Sequence, residues 1–172
     1  MPAPFHIRRL APDETGAIAA LADVLLDCVA GGASVSFMAD TTRDEAEGFW
    51  RRQVEAGDGR AILVAEDADG IFGVVQVIPA GAPNQPHRAD IAKMLVHRRA
   101  RRRGVGEALM RAAEAEAKAM GKSVLVLDTV TGEAGERLYA RVGWTRVGVI
   151  PDYALLPDGR MCATTYFYKA LA

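Results

Sequence analysis

Hydrophobic positions along the chain switch between two-residue spacing and three- or four-residue spacing, which predicts strands interspersed with helices. Residues 5–10 alternate between apolar and polar side chains and predict a half-buried first strand. A helix is predicted to begin at 12–14, because proline suits a first helical turn and acidic side chains suit the positive end of the helix dipole. The glycine pair 31–32 is expected to end it.

The next segments predict a second helix and a hairpin. Thr41 and Thr42 are candidate caps for the helix, because a hydroxyl accepts a hydrogen bond from an unpaired N–H of the first turn. Residues 60–66 and 71–78 are typical of two strands, and the turn between them predicts a hairpin. Gly73 lies inside the second strand and indicates a bulge or the close approach of another element.

The rest of the chain completes a mixed pattern. It is predicted to contain strand 87–97, helix 104–120, strand 123–128, helix 133–142, strand 144–150 and strand 161–170. The apolar run that ends in Asp128 is typical of a parallel strand covered on both faces. The order β-α-α-β-β-β-α-β-α-β-β predicts an α/β fold with a mixed sheet and helices on both faces. The 98–106 loop and Asp128 should then lie at the carboxyl edge of the sheet, where sites form.

The composition is that of an ordinary globular protein, and one domain over residues 1–172 is expected. A formal net charge of -1 argues against nucleic acid as a partner. The first ten residues lack the apolar region of a signal peptide, and no apolar run is long enough to cross a membrane. A cytoplasmic protein without a membrane partner is therefore expected. Cys28 and Cys162 are far apart and suggest neither a disulfide framework nor a metal site.

The loop 98–106 contains five arginines and two glycines at a predicted helix start. A helix start leaves N–H groups unpaired and carries partial positive charge. Glycine lets an anion approach those N–H groups, and arginine adds a charged donor fork. The loop is therefore predicted to bind a phosphate or pyrophosphate. A solvated turn and a nucleic-acid patch remain alternatives, because they have similar composition.

The glycine spacing decides between phosphate motifs. The loop lacks the Gly-Lys-Ser/Thr ending of the Walker motif, and Leu109 stands where the Rossmann motif has its third glycine. The pattern Arg-x-x-Gly-x-Gly at Arg101, Gly104 and Gly106 resembles the acetyl-CoA pyrophosphate loop of the GNAT acyltransferase superfamily. The resemblance covers nearly the whole chain and is strongest over 93–169. There the chain also resembles the tabtoxin resistance acetyltransferase subgroup.

This resemblance implies a GNAT fold, with a twisted, mostly antiparallel mixed sheet of about seven strands and about four flanking helices. It implies acetyl-CoA as co-substrate, with an N–H at position 95 or 96 as donor to the oxyanion. The implied cofactor-binding residues are Met94, Leu95, Val96, Arg101, Arg102, Arg103, Gly104, Val105, Gly106, Glu107, Thr131 and Glu136. Arg102 and Arg103 are expected to contact the 3′-phosphate of CoA or solvent. Thr131 and Glu136 are expected near its distal part.

Acetyl transfer from a thioester to an amine also needs a base for the amine and a proton for the thiolate. The resemblance implies that Tyr139 supplies this proton; the alternative is a core tyrosine with a satisfied hydroxyl. Asp128 is predicted to act as general base or to anchor the ammonium group; the alternative is a cap of the next helix. Glu66 and Asp90 are weaker candidates for the base.

The acceptor site is less defined by the sequence. In the GNAT fold the early helical pair forms one of its walls, and the candidates are Val35, Phe37, Met38, Phe49 and Trp50. For Phe49 and Trp50, packing in the core is the favoured interpretation. His87, Asp152 and Tyr153 are candidates for shaping the pocket, or are ordinary loop residues.

We therefore expect an acetyl-CoA-dependent N-acetyltransferase that acts by direct transfer, as a monomer or homodimer. The expected acceptor is a primary amine of a small molecule that is amino-acid-like or antibiotic- or toxin-like. The alternatives are a peptide or protein N-terminal acetyltransferase and a catalytically inactive CoA-binding sensor. An acyl-enzyme route through Cys162 is a weaker alternative. An RNA-binding module would need aromatic side chains among the arginines, and the sequence lacks them.

Overall fold

The structure is a computed structural model that describes residues 4–172. Its strands are β1 (His6–Arg9), β2 (Ala61–Asp67), β3 (Gly70–Pro79), β4 (Arg88–Val96), β5 (Val124–Val130), β6 (Thr145–Leu155) and β7 (Met161–Ala170). Its helices are α1 (Ile18–Ala30), α2 (Arg43–Val54), α3 (Val105–Ala119) and α4 (Ala134–Arg141), with 3₁₀ turns at Thr15–Ala17 and Arg98–Ala100. Over the described residues, the predicted element order is confirmed.

The strands form one mixed sheet in the order β1-β2-β3-β4-β5-β7-β6. Within residues 4–172, β4 and β5 are the single parallel pair, and the other five pairs are antiparallel. The helix α3 crosses over between the parallel strands. The carboxyl ends of β4 and β5 therefore lie at the same edge, in the middle of the sheet. The predicted fold class is confirmed.

The two faces of the sheet carry separate hydrophobic cores. Helices α3 and α4 cover one face, and α1 and α2 cover the other. The stripe predicted for α3 is confirmed at Val105, Leu109, Ala113 and Ala117, which are buried, whereas Ala112 is only partly buried. Within the described part of the chain, no helix is both long and apolar enough to cross a membrane.

Two elements differ from their predictions at the ends. The helix α1 begins at Ile18 rather than at 12–14, because Asp13 adopts a left-handed φ of 65° and the carboxylate of Glu14 is held by Arg8. The strand β5 continues past Asp128 to Val130, because it pairs with β7 along its whole length. Asp128 is therefore an inner residue of the strand and not its end.

The strand β5 is also less covered than its apolar run predicts. Leu125 and Leu127 are buried against the α3 core, whereas Val124 and Val126 on the other face are only half-buried. Full burial on both faces is wrong for this strand. The partly open face is the one that carries Asp128, because alternate residues of a strand share a face.

Gly73 has both features predicted for it. Ala65 pairs with Gly73 and Glu66 with Ile71, so β3 bulges at the residue between. A Cβ at Gly73 would lie 3.1 Å from Cδ1 of Leu109 and 3.2 Å from the Cβ of Ala65. The missing side chain lets α3 lie directly on the sheet.

We expect Gly73→Ala to destabilise the fold by about 1–3 kcal/mol, because the added methyl would lie 3.1 Å from Leu109 and 3.2 Å from Ala65 and Val105, and these buried side chains would have to shift. The measurement is urea denaturation followed by circular dichroism. The matched control is Gly48→Ala in α2, where the nearest group is the flexible end of Arg52 at 3.5 Å and where alanine favours the helix. Equal stability of the two variants would contradict the close packing of α3 against β3.

Candidate active site

The parallel strands β4 and β5 separate before the edge of the sheet. Their last pair is Asp90 with Val126, although β4 continues to Val96 and β5 to Val130. Each strand keeps its other neighbour, β3 for β4 and β7 for β5. We call the opening between 91–96 and 127–130 the central gap. Within the described residues, the peptide groups that face it have no neighbouring strand with which to pair.

A β-bulge in β4 accompanies the central gap. Val74 pairs with Leu95, whereas Gln76 pairs with Ala92, so β4 has one residue more than β3 between these pairs. At the bulge, Lys93 has a φ of 51°, in the left-handed region that few residues with side chains adopt. A bulge bends its strand and increases the twist, which turns the end of β4 away from β5.

The peptide groups of Met94 and Val96 point into the central gap. The N–H of His97 donates to the carbonyl of Phe72 in β3 at 2.8 Å. Successive residues of a strand direct their peptide groups to opposite sides, so Val96 and Met94 face the gap and Leu95 faces β3. Of the three backbone residues predicted to bind the cofactor, Met94 and Val96 are therefore the two placed to pair with an extended ligand.

The helix α3 begins at the open end of the central gap without a side-chain cap. Its N-cap is Gly104, with a left-handed φ of 75°. The first intrahelical bond joins the N–H of Ala108 to the carbonyl of Gly104, so the N–H groups of Val105, Gly106 and Glu107 lack helical partners. Together with the helix dipole, these donors form a site for an anion.

The second glycine of the motif has a packing role. A Cβ at Gly106 would lie 3.2 Å from Cδ2 of Leu138 in α4 and 3.8 Å from Cε of Met94 in β4. Gly106 therefore lets the first turn of α3 lie between α4 and the end of β4. This brings the anion site next to the central gap.

Three arginines of the loop are bound by carboxylates of this chain. Arg98 donates to Asp27 of α1 through its N–H and its side chain. Arg99 and Arg103 reach Asp67 of β2 at 3.2 and 3.5 Å, and both lie over an aromatic ring of β3. The loop is thus anchored at both ends. These ion pairs show that the loop is more than a solvated turn.

Arg101 and Arg102 are exposed and, among residues 4–172, form no ion pair with a carboxylate. Arg101 donates weakly to the carbonyl of Val96 at 3.4 Å, beside the central gap. Arg102 has a left-handed φ of 61° and an exposed side chain, which suits contact with a ligand phosphate. The side chain of Arg103 is only 16% exposed and is directed towards Asp67, so the geometry does not support its predicted contact with the 3′-phosphate or with solvent.

The two anchoring carboxylates are held in their charged form. Burial alone would raise the pKa of Asp67, but hydrogen bonds from the Asp69 N–H and from Arg99, with the charge of Arg99, hold it below its usual value of 3.8. Burial of Asp27 is likewise outweighed by the hydrogen bonds from Arg98, and its pKa is also lowered. Both anchors therefore persist at neutral pH.

Tyr139 lies on α4 with a buried ring and an unengaged hydroxyl. The ring packs against Trp144 and Phe167 at centroid distances of 6.2 and 6.0 Å. Within residues 4–172 the hydroxyl forms no hydrogen bond, so the alternative of a satisfied core hydroxyl is not what the structure contains. Burial and the negative charge of Asp128 raise the pKa of Tyr139. The hydroxyl therefore carries its proton at neutral pH.

Asp128 is exposed on β5, and its Oδ2 accepts a hydrogen bond from Thr164 at 2.7 Å. The helix α4 has no side-chain cap, so the alternative of Asp128 as its cap is wrong. The charge of Asp128 contributes to the pKa shifts of three groups, Lys93, Tyr139 and Tyr166. The negative charge of Asp128 therefore acts on all three of these side chains.

The weaker candidates for the base lie outside the gap. The carboxylate of Glu66 binds Arg8 at 2.8 Å and His6 at 2.9 Å on the β1 side of the sheet. Asp90 binds Arg88 at 2.5 Å, at the last paired position before β4 and β5 separate. Both carboxylates are engaged in ion pairs away from Tyr139.

Thr131 and Glu136 fix the turn between β5 and α4. Thr165 of β7 bonds to the hydroxyl of Thr131 at 2.9 Å and to the carboxylate of Glu136 at 3.0 Å. The N–H of Gly132 also donates to Glu136 and is the main cause of its lowered pKa. These bonds give both residues a structural role, and their contact with CoA stays a prediction.

Glu107, also predicted to bind the cofactor, binds Arg111 at 2.8 Å on the outer face of α3.

A cleft of about 290 Å³ adjoins Asp128 on the face of α1 and α2. It is lined by Ser34, Ser36, Phe37, Met38, Asp128, Thr129, Val130, Tyr153, Ala154, Leu155, Cys162, Ala163 and Thr164. Of the residues predicted for the acceptor site, Phe37, Met38 and Tyr153 line this cleft. Trp50 is fully buried and Val35 and Phe49 pack against the same core, which fits the packing interpretation.

The far wall of the cleft is the β6–β7 hairpin. The hydroxyls of Tyr153 and Tyr166 lie 2.8 Å apart, and this bond, with burial, raises the pKa of Tyr166 to about 12. Asp152 has a φ of 49° where the β6–β7 register shifts, next to the cleft-lining Tyr153. His87 precedes β4 and bonds to the start of β5, so it lies at the opposite edge of the sheet and cannot shape this cleft.

Lys93 is the charged residue of this region that the sequence analysis did not single out. Its side chain reaches Ser36, a lining residue of the cleft. The sequence signal that could have identified it is a single charged residue within the apolar run of β4, because lysine is rarely buried without a partner.

Among residues 4–172, no cluster of three or more metal-binding side chains occurs.

Comparisons with known proteins identify the family and support the fold. A family model for the acetyltransferase (GNAT) domain matches residues 58–146, just over half of the chain. A GNAT superfamily phosphinothricin acetyltransferase from Sinorhizobium meliloti, solved in complex with acetyl-CoA, superposes with a TM-score of 0.81 at 17% identity, over 98% of this chain and 89% of that one. A ribosomal-protein-alanine N-acetyltransferase from Brucella melitensis superposes with a TM-score of 0.79 at 20% identity, over 96% of this chain and 99% of that one. A GCN5-related N-acetyltransferase from Kribbella flavida superposes with a TM-score of 0.79 at 23% identity, over 97% of this chain and 98% of that one.

The lowered pKa of Asp67 makes its anchor sensitive to acid. Its contribution to stability is fully present above its unfolded value of 3.8 and is lost as the pH falls through the lower folded value. We expect Asp67→Asn to lower the thermal midpoint at pH 7 and to differ progressively less from the native chain below pH 4. The control is Asp69→Asn, whose exposed side chain lies two residues away. A difference that stays constant from pH 7 to pH 3 would contradict the anchor.

Proposed function

We propose, because this chain belongs to the GNAT acetyltransferase family, that it transfers the acetyl group of acetyl-CoA directly to a primary amine of a small molecule. The observation that carries the proposal is the central gap, which adjoins the uncapped start of α3. On its β5 side, a Cβ at Gly135 would lie against both Thr129 and the ring of Tyr139, so Tyr139 is near this part of the gap. An extended arm with a pyrophosphate at one end and a thioester at the other matches this arrangement of donors.

The co-substrate is proposed to lie along β4. The peptide groups of Met94 and Val96 that face the gap would pair with its pantetheine arm in place of the missing strand, with the carbonyl of Val96 exchanging its weak bonds from Arg101 and Cys28. The first N–H groups of α3 would bind the pyrophosphate, and Arg102 would add positive charge. Gly104 keeps this approach open, because no side chain projects from the N-cap.

The chemistry follows from three groups at the gap. The neutral amine attacks the thioester carbonyl, and the N–H of Val96 is proposed to stabilise the oxyanion that forms. Leu95, the other expected donor, faces β3 instead. As the C–S bond breaks, Tyr139 donates its proton to the departing thiolate. Asp128 anchors the incoming ammonium or accepts its proton through water.

The size of the acceptor follows from the closure of its cleft. The hydroxyl of Ser34 donates to the carbonyl of Leu155 at 2.7 Å, and the N–H of Ala39 donates to the carbonyl of Pro157 at 3.0 Å. These bonds join the segment between α1 and α2 to the β6–β7 hairpin. They support a small acceptor, because an extended peptide would have to displace them.

Two of the similar structures differ in the acceptor that their names state, a small molecule in one and a ribosomal protein in the other. The closed cleft favours the first, and we propose a place near the phosphinothricin and tabtoxin type of enzyme. We further propose that residues 1–172 act as one catalytic unit, as a monomer or homodimer. The free thiols of Cys28 and Cys162 favour a cytoplasmic location.

Binding of acetyl-CoA is expected at roughly micromolar strength in calorimetry. Gly104→Glu should abolish it by placing negative charge on the anion site. Gly104→Ala carries the same strain at positive φ without the charge and should retain most of the binding. The control for the added acid is Gly81→Glu, in an open loop away from α3. If both Glu variants bind like the native chain, the anion site is wrong.

Replacement of Tyr139 by Phe is expected to lower kcat by about 100-fold or more and to leave acetyl-CoA affinity unchanged, because only the proton donor is lost. Thiol release with an amine panel measures the first, and calorimetry the second. Tyr168→Phe, on an exposed side chain of β7, is the control. Unchanged turnover in the Tyr139 variant would contradict its role. Absence of turnover in the native chain, with intact binding, would favour the inactive sensor.

A further inference from the structure

Lys93 places a positive charge where the central gap meets the acceptor cleft. Its backbone occupies the bulge of β4 with a φ of 51°. Its Nζ lies 3.4 Å from the Oγ of Ser36 and 5.6 Å from the centroid of the Phe49 ring. Ser36 lines the cleft, so the ammonium group stands at its rim.

This ammonium group lacks a close counter-ion. Among residues 4–172, no carboxylate oxygen lies within 4.0 Å of Nζ of Lys93. Lys169, by contrast, has both carboxylate oxygens of Glu114 at 2.9 Å. Burial lowers the pKa of Lys93, and the charge of Asp128 opposes this shift without reversing it. A partly buried cation without a salt bridge is costly, and an anionic ligand would remove that cost.

We propose that Lys93 binds an anionic group of the acceptor, so that the acceptor is an amine that also carries a carboxylate or a comparable small oxyanion. This inference rests on the proposed function and narrows its substrate class. Asp128 and Lys93 then provide opposite charges for one zwitterion. The amine is directed to Asp128 beside the gap, and the acid is directed to Lys93 and Ser36.

The dimensions of the site agree with an acceptor of amino-acid size. A cleft of about 290 Å³ lies at the small end of the range for ligand pockets and has room for a free amino acid. The ring of Phe49 and the hydroxyl of Ser36 hold the Lys93 head on the acceptor side. Asp128 charges the same region negatively, so amine and acid have separate partners.

Two other roles for Lys93 make different predictions. As a base, it would affect the turnover of every amine equally. As a packing residue for the α1–α2 segment, it would change stability without changing the preference between acceptors. A comparison of acids with their uncharged counterparts separates these roles from anion binding, because only the last depends on the charge of the acceptor.

The experiment uses the full chain, acetyl-CoA and a panel of free amino acids, each with its matched carboxamide, and follows thiol release. The variants are Lys93→Met, which removes the charge at similar length, and Lys93→Arg, which keeps it. Lys118→Met, on the exposed face of α3, is the control for the loss of one positive charge. Thermal denaturation and acetyl-CoA calorimetry establish that each variant is folded and binds the co-substrate.

The native chain is expected to prefer at least one amino acid over its amide. Lys93→Met should raise KM for that acid by roughly 10- to 100-fold and leave KM for the amide unchanged, while Lys93→Arg restores most of the preference. Acetylation of amides as readily as acids by the native chain would overturn the inference and leave the proposed function standing. So would an equal loss for acid and amide in Lys93→Met. Acetylation of neither would overturn the inference, and turnover with other small amines would then decide whether the proposed function stands.

Discussion

Peptide groups in the middle of a β-sheet need partners, and the separation of β4 and β5 leaves those of Met94 and Val96 without a neighbouring strand. An N–H or C=O buried without a partner costs about 1–3 kcal/mol, so a sheet opens at its centre only where something compensates. The bulge at Lys93 bends β4 away from β5, and the outer neighbours of both strands keep the gap in place. The rest of the site is arranged around this opening.

The main role of the arginine loop is to fix the start of α3 beside this opening. Asp27 and Asp67 bind three of its arginines, which ties the loop to α1 and to the hairpin of β2 and β3. The start of α3 is thereby fixed beside the end of β4. The backbone N–H groups of α3, rather than the number of arginines, then form the anion site. Because three of the arginines are paired with carboxylates of the same chain, the strongly basic loop is consistent with a formal net charge of -1.

The element order, the hairpin and the position of the anion loop could be predicted from the sequence, because apolar periodicity and glycine spacing are local signals. The role of the arginines could not, since it depends on Asp27 and Asp67, which lie far away in the chain. The bulge at Lys93 has no local signature beyond one charged residue in an apolar strand. The apolar run predicts a strand end at Asp128. The strand continues to Val130 because it pairs with β7, and this long-range pairing leaves no local signal in the sequence.

Residue-resolved amide hydrogen exchange with and without desulfo-CoA tests the central claim most directly. In the free protein, the amide of Leu95 should be protected by β3, whereas those of Met94 and Val96 exchange quickly. On addition of the ligand, Met94, Val96 and the first residues of α3 should become protected, and Leu95 should change little. Equal protection of all three strand amides in the free protein, or no change in them on binding, would contradict a cofactor site in the central gap.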